Sequence, residues 1–167
     1  MDCKLEKLHL KYAAELAKAI GDKRVQDNLR DGIPFPYTEE HAREFISASL
    51  AADDIIFAIT VDGMFAGCIS AFRQNNIHSR TAEVGYYVAC ELWGRGIATQ
   101  AIKLLCEYIF ENTDIIRLYA EPFARNAASC RVLEKAGFKL EGVLRKNAVK
   151  CGVIEDMKLY SRLSFEN

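Results

Sequence analysis

The stretch Tyr87-Val88-Ala89-Cys90-Glu91-Leu92-Trp93-Gly94-Arg95-Gly96-Ile97-Ala98-Thr99 decides the fold. Upstream of it, Thr81 to Val88 is rich in β-branched and aromatic residues, which favours an extended strand. Downstream, Ala98, Ala101, Ile102, Leu105, Tyr108 and Ile109 recur at helical spacing. The period changes on Gly94 and Gly96, so the stretch reads as a strand, a glycine turn and a helix start. Such a turn leaves the first helical N–H groups without intrahelical acceptors and aims the positive end of the helix dipole outward, an arrangement that binds phosphate. It is not a P-loop, because the Gly-Lys-Ser/Thr ending is absent, and it lacks the third glycine of the dinucleotide fingerprint. Taken alone, a loop that needs positive φ at its glycines accounts for it as well.

Outward from this point, the chain alternates. Lys4 to Leu8 reads as a short strand, and Leu10 to Ile20 as an amphipathic helix with Tyr12, Ala13, Leu16, Ala17 and Ile20 on one face, closed by Gly21. Asp22 to Tyr37 reads as a short helix and then a loop in which Pro34 and Pro36 exclude regular structure. Thr38 can cap a helix running to about Ala52, with Glu39 and Glu40 in its first turn and Phe45, Ile46 and Leu50 buried. Ile55 to Val61 and Met64 to Phe72 form a hairpin over Asp62-Gly63, followed by a polar loop from Gln74 to Ser79. After the glycine turn and its helix come a strand at Ile115 to Ala120, a helix from about Ala127 to Ala136 ended by Gly137, and strands at Phe138 to Leu144 and Val153 to Leu163. Strands first, then strands alternating with helices, predict an α/β (α+β) fold with a mixed sheet and helices on both faces.

The segments Ala82 to Thr99 and Arg125 to Phe138, with their separation, resemble the GNAT superfamily of acetyl-CoA-dependent N-acetyltransferases. Trp93-Gly94-Arg95-Gly96-Ile97-Ala98 fits the family's pyrophosphate motif, Gln/Arg-x-x-Gly-x-Gly/Ala, except that Trp93 stands at the first position. That variant resembles the branch containing the ribosomal-protein N-terminal acetyltransferases, as do Ser129 and the pattern Gly137-Phe138-Lys139-Leu140-Glu141-Gly142-Val143-Leu144-Arg145. The resemblance implies a mostly antiparallel twisted sheet, splayed at its middle, with acetyl-CoA lying in the V.

It also implies residue roles. The backbone N–H groups of Arg95, Gly96, Ile97, Ala98 and Thr99 would hold the pyrophosphate, and the Arg95 side chain can add charge. Val88 and Ala89 would lie against the pantetheine arm and the acetyl carbonyl, as an oxyanion donor. Glu83, in Ala82-Glu83-Val84-Gly85, matches a strand position where many members carry a glutamate base acting through water. Strand alternation does not fix its face, so a solvent-facing or salt-bridged Glu83 is the alternative. A lysine-like amine of pKa about 10.4 must shed its proton at a cost on the order of 4–5 kcal/mol at pH 7, whereas an α-amine near 8 costs about 1. Asn126, with Ala127-Ala128-Ser129 and Leu133 to Phe138, resembles the second CoA motif, and Asn126 is also a good N-cap. Many relatives place a tyrosine general acid where Leu133 stands, so Ser129 is the candidate for the leaving thiol, ahead of Tyr119, Tyr160 and Cys130.

Composition narrows the partners. The chain has 167 residues, half of them hydrophobic, enough for one domain over residues 1–167. A net charge of −1 with scattered basic residues carries no nucleic-acid footprint. Six cysteines without a Cys-x-x-Cys pair read as buried small hydrophobes in a reducing compartment, with no metal site. No stretch is long enough for a membrane span, and the expectation is a cytoplasmic protein. The acceptor is a primary amine, either a protein N-terminus or a small molecule such as a polyamine, antibiotic or amino acid; a homodimer is compatible with the sequence. The rival readings are a CoA-responsive binding protein without catalysis and a nucleotide-binding module.

Overall fold

The computed structural model describes residues 2–52 and 55–165. One seven-stranded sheet organises them, in the order β1-β2-β3-β4-β5-β7-β6. The strands are β1 (Cys3–Lys7), β2 (Ile55–Val61), β3 (Met64–Arg73), β4 (Thr81–Val88), β5 (Arg117–Ala120), β6 (Lys139–Lys150) and β7 (Val153–Leu163). The helices are α1 (Ala13–Gly21), α2 (Lys23–Gln26), α3 (Glu39–Ala52), α4 (Ile97–Asn112) and α5 (Ala127–Lys135). All neighbouring strands run antiparallel except β4 and β5, which are parallel because α4 carries the chain back to the start of β5.

Alternation along the strands separates two cores. Ile59, Ile69, Val84 and Leu118 face α4 and α5, meeting Ile102, Leu105, Ile109 and Leu133. Ala58 and Cys68 face the other way, against Leu8, Leu16 and Ile20 of the first segment and Ala42 and Ile46 of α3. Helices therefore cover both faces of the sheet, and truncating a fully buried leucine such as Leu105 to alanine costs about 2–5 kcal/mol.

The β4/β5 seam positions the site. These strands pair only at Thr81 to Glu83 with Arg117 to Tyr119, after which β4 runs on to Val88 with no strand on that side. This is the splay that the family resemblance implies. At the far end of β4, Gly67 of β3 lies so close that a Cβ there would stand 2.1 Å from the Tyr87 carbonyl oxygen.

Several local expectations need revision. In α3 the buried residues are Ala42, Ile46 and Ser49, one turn apart, while Phe45 and Leu50 are part-exposed at 37% and 40%. Leu10–Tyr12 forms a separate 3-10 turn capped by His9, and Gly21 lies inside α1 as its last residue. The polar loop at 74–79 contains a 3-10 turn, Asn76–His78. The last hairpin is longer than expected, because β6 passes Leu144 through an irregular register around Lys146, whose φ is +53°, and resumes to Lys150. Its turn is Cys151-Gly152, so Cys151 is exposed, unlike the buried Cys68, Cys90, Cys106 and Cys130.

Candidate active site

A cleft of about 730 Å³ opens where β4 and β5 part. One end is the start of α4. Gly94 and Gly96 have φ of +77° and +78°, in the left-handed region that glycine enters without a Cβ penalty. No side chain caps α4, and its first internal bond runs from Gln100 N–H to the Gly96 carbonyl at 3.1 Å. The N–H groups of Ile97, Ala98 and Thr99 thus lie at the N-terminal end of a 16-residue helix with no intrahelical acceptor. Gly94, Gly96, Ile97, Ala98 and Thr99 line the cleft. The Arg95 side chain does not; its guanidinium turns back to the Glu91 carbonyl at 3.4 Å.

The wall comes from the last turn of β4. Ala89 N–H donates to the Ala66 carbonyl at 2.9 Å, so it is spent on β3 and unavailable as an oxyanion donor. By the alternation of antiparallel pairing, the N–H and carbonyl of Val88 then point away from β3, toward the gap. The Val88 carbonyl accepts a hydrogen bond from Trp93 Nε1 at 2.7 Å. Trp93 therefore ties the glycine turn to the strand end, and the parting of β5 after Glu83 leaves the Val88 N–H without a strand partner.

Across the gap stands α5. Asn126 caps it, accepting from Ser129 N–H at 3.1 Å, and both residues line the cleft. Ser129 Oγ lies 2.6 Å from Tyr86 Oη. Burial pushes the Tyr86 phenol up to about 12, so it stays protonated as a donor at neutral pH. The sequence analysis missed Tyr86. Strand parity puts it on the face of Val84 and Val88, but its reach to a serine 43 residues away has no local signal. Of the substitutes considered, Tyr160 is buried and donates to Glu134 at 3.1 Å, and Cys130 is buried; neither they nor Tyr119 line the cleft.

The other end carries the carboxylates. Glu83 sits about 17 Å along β4 from Val88 and on the opposite sheet face from Tyr86. It lines the cleft and is ion-paired with Arg30, which reaches in from the loop after α2. Phe72 and Tyr119 flank it in register. Glu121, just past β5, lines the same end, and burial together with the Glu83 charge raises its carboxyl above the ordinary range. Glu121 was also missed, although a carboxylate directly after a strand that borders the gap is a usable signal. A neighbouring hollow of about 330 Å³, between the loop after α2 and the β6/β7 hairpin, joins the cleft at Arg30, Glu121, Phe123 and Met157. Among the described residues no His, Cys, Asp and Glu group could hold a metal ion, and no helix is long and apolar enough to cross a membrane.

This geometry has counterparts. The probable N-acetyltransferase YjcK of Bacillus subtilis is 38% identical over 103 residues, which span 62% of this chain and 57% of that protein. The putative ribosomal N-acetyltransferase YdaF of the same organism is 35% identical over 105 residues, spanning 63% and 57%. The matched segment is thus little more than half the length of either relative. The crystal structure of a microcin self-immunity acetyltransferase, MccE, in complex with acetyl-CoA and AMP aligns with a TM-score of 0.82 at 28% identity, covering 97% of this chain and 92% of that one. The acetyltransferase (GNAT) domain model matches residues 3–139, and with most of the chain so matched, the chain belongs to the GNAT family of acetyltransferases.

Proposed function

We propose that this protein is an N-acetyltransferase that moves the acetyl group of acetyl-CoA to a primary amine by direct attack in a ternary complex. The observation that carries the reading is the uncapped start of α4 at one end of a cleft that has a hydroxyl pair on its wall and carboxylates at its other end. The complex of MccE with acetyl-CoA supports the cosubstrate.

In this reading the pyrophosphate takes the N–H groups of Ile97, Ala98 and Thr99, whose dipole favours the anion. Asn126 holds the α5 side of the cofactor path. The acetyl carbonyl meets the Val88 N–H, which stabilises the charge that develops when the amine adds to it. The amine nitrogen forms a bond to the carbonyl carbon, and the C–S bond then breaks. Ser129, held by Tyr86, donates a hydrogen bond to the departing sulfur, which leaves as the thiolate. With a thiol pKa of about 8.5 the thiolate is a tolerable leaving group, and a hydrogen bond suffices. The proton shed by the amine goes to the carboxylate end, where Glu83 and Glu121 stand; the Arg30 guanidinium occupies the Glu83 oxygens, and Glu121 is the carboxylate open to a ligand. An α-amine, which costs only about 1 kcal/mol to deprotonate at pH 7, suits so modest a base. We therefore favour a protein N-terminus as acceptor, a choice that the resemblance to YdaF supports.

The test is product detection by mass spectrometry after incubation with acetyl-CoA and a mixed panel of N-terminal peptides, polyamines, aminoglycosides and amino acids. A gain of one acetyl group on the peptides is expected. A gain confined to a small-molecule class would replace the protein acceptor, and tight acetyl-CoA binding without any product would favour a CoA-responsive binding protein.

A further inference from the structure

The carboxylate end of the cleft and the adjoining hollow are lined by five charged side chains: Arg30, Asp31, Glu83, Glu121 and Lys150. Four of them are paired. Lys150 Nζ lies 2.8 Å from Asp31 Oδ1, and the Arg30 guanidinium engages both oxygens of Glu83. Glu121 makes no hydrogen bond or ion pair among the described residues. Two cations thus face three carboxylates, leaving one net negative charge at this end, and Glu121 is the carboxylate without a direct partner, although the Arg30 charge reaches it.

Arg30 is held in place by its own loop. Arg125 bonds Asn28 Oδ1 at 3.0 Å and the Asp27 carbonyl at 2.7 Å on one side of it. On the other side Asp31 accepts from Cys151 N–H at 2.9 Å and pairs with Lys150. Both flanks of Arg30 are thus anchored, and its guanidinium, on a largely exposed side chain, is held at the wall by the Glu83 carboxylate. Around it the lining is apolar, from Ile33, Phe72, Phe123 and Met157.

We propose that Arg30 sets the acceptor class: by neutralising Glu83 it leaves room for one ammonium, against Glu121, so the acceptor is a monocationic primary amine with an apolar flank. A peptide N-terminus has this chemistry. A polyamine brings a second ammonium that would lose its water without a partner and meet the Arg30 charge. The proposal rests on the acetyltransferase reading above and concerns the acceptor alone.

The experiment compares kcat/KM for an alanine tetrapeptide amide and for spermidine in the wild type, Arg30→Ala, Arg30→Lys and Glu121→Gln, with melting curves for each. The wild type favours the peptide amide. Arg30→Ala moves the ratio toward spermidine by about tenfold, equivalent to roughly 1.4 kcal/mol. Arg30→Lys keeps the charge and the wild-type ratio, even where it loses stability. Glu121→Gln lowers peptide acetylation without favouring spermidine. Product with the same ratio in Arg30→Ala and the wild type overturns the charge assignment only, and so does a wild type that prefers spermidine. No product from any protein with either amine, with acetyl-CoA still bound, overturns the acetyltransferase reading and this proposal with it.

Discussion

Gly96 separates backbone strain from ligand approach, because the fold supplies its control. Gly96 has φ +78° and Gly63, in the β2/β3 turn, has φ +81°; a Cβ at either would meet nothing within 4 Å. Alanine at each position therefore meets the same penalty, the left-handed conformation, worth about 1–2 kcal/mol. In a chain of 167 residues each kcal/mol moves Tm by about 2–4 °C, so both variants should melt roughly 2–8 °C below the wild type and keep the fold. The difference lies at the cleft. Gly96 lines it and Gly63 does not, so only the methyl at Gly96 stands where an anion would approach the N–H groups of Ile97 to Thr99. A hydrogen bond to a charged group contributes about 1.5–3 kcal/mol, so losing one weakens acetyl-CoA binding by about 10- to 150-fold. Isothermal calorimetry gives the two Kd values. If Gly96→Ala and Gly63→Ala bind acetyl-CoA as the wild type does, the anion does not sit at the start of α4, and the placement of the cofactor falls with it.

Ser129→Ala should lower kcat by about 10- to 100-fold, the loss of one hydrogen bond to a developing charge, and Tyr86→Phe by about tenfold, with acetyl-CoA affinity nearly unchanged. Because Tyr86 acts through Ser129, the double variant should be no worse than Ser129→Ala; multiplied losses would show two independent roles. Glu83→Gln should reduce turnover more for lysine-like amines than for α-amines if Glu83 takes the proton, and equal losses in steady-state assays would remove that role. Glu141 accepts from Arg117 at 2.7 and 2.6 Å and from Ser161 at 2.6 Å, which hold its carboxyl down to about 2 from an ordinary 4.5. Its folded pKa is depressed, so this stabilisation is full above about 4.5 and lost as pH falls toward 2. Melting curves should show Glu141→Gln less stable than the wild type at pH 7 and the gap narrowing as pH falls from 4.5 toward 2; a constant gap would refute the linkage.

What could be read from the chain, and what could not, follows from the range of each interaction. The strand, turn and helix from Thr81 to Asn112 are local features, set by side-chain period and by two glycines, and the strand end at Val88 and the helix start at Ile97 stand where the sequence puts them. Asn126 as the cap of α5 is equally local, since its bond reaches only to Ser129. The role of Trp93 was hidden for the opposite reason. A motif marks the departure, but only the folded turn brings its Nε1 to the Val88 carbonyl. Tyr86 with Ser129 and Arg30 with Glu83 are separated by 43 and 53 residues, and such pairs depend on how α5 and the loop after α2 dock on the sheet. The same division runs through the chemistry. The donor half of the site rests on backbone groups, which a glycine pattern announces. The acceptor half rests on side-chain charges from four separate segments, at Arg30, Glu83, Glu121 and Lys150, and their balance exists only once the fold has closed around them. If Arg30 sets the acceptor class as proposed, acceptor choice is a property of tertiary charge pairing, open to change by single substitutions that leave the glycine turn and the cofactor path intact.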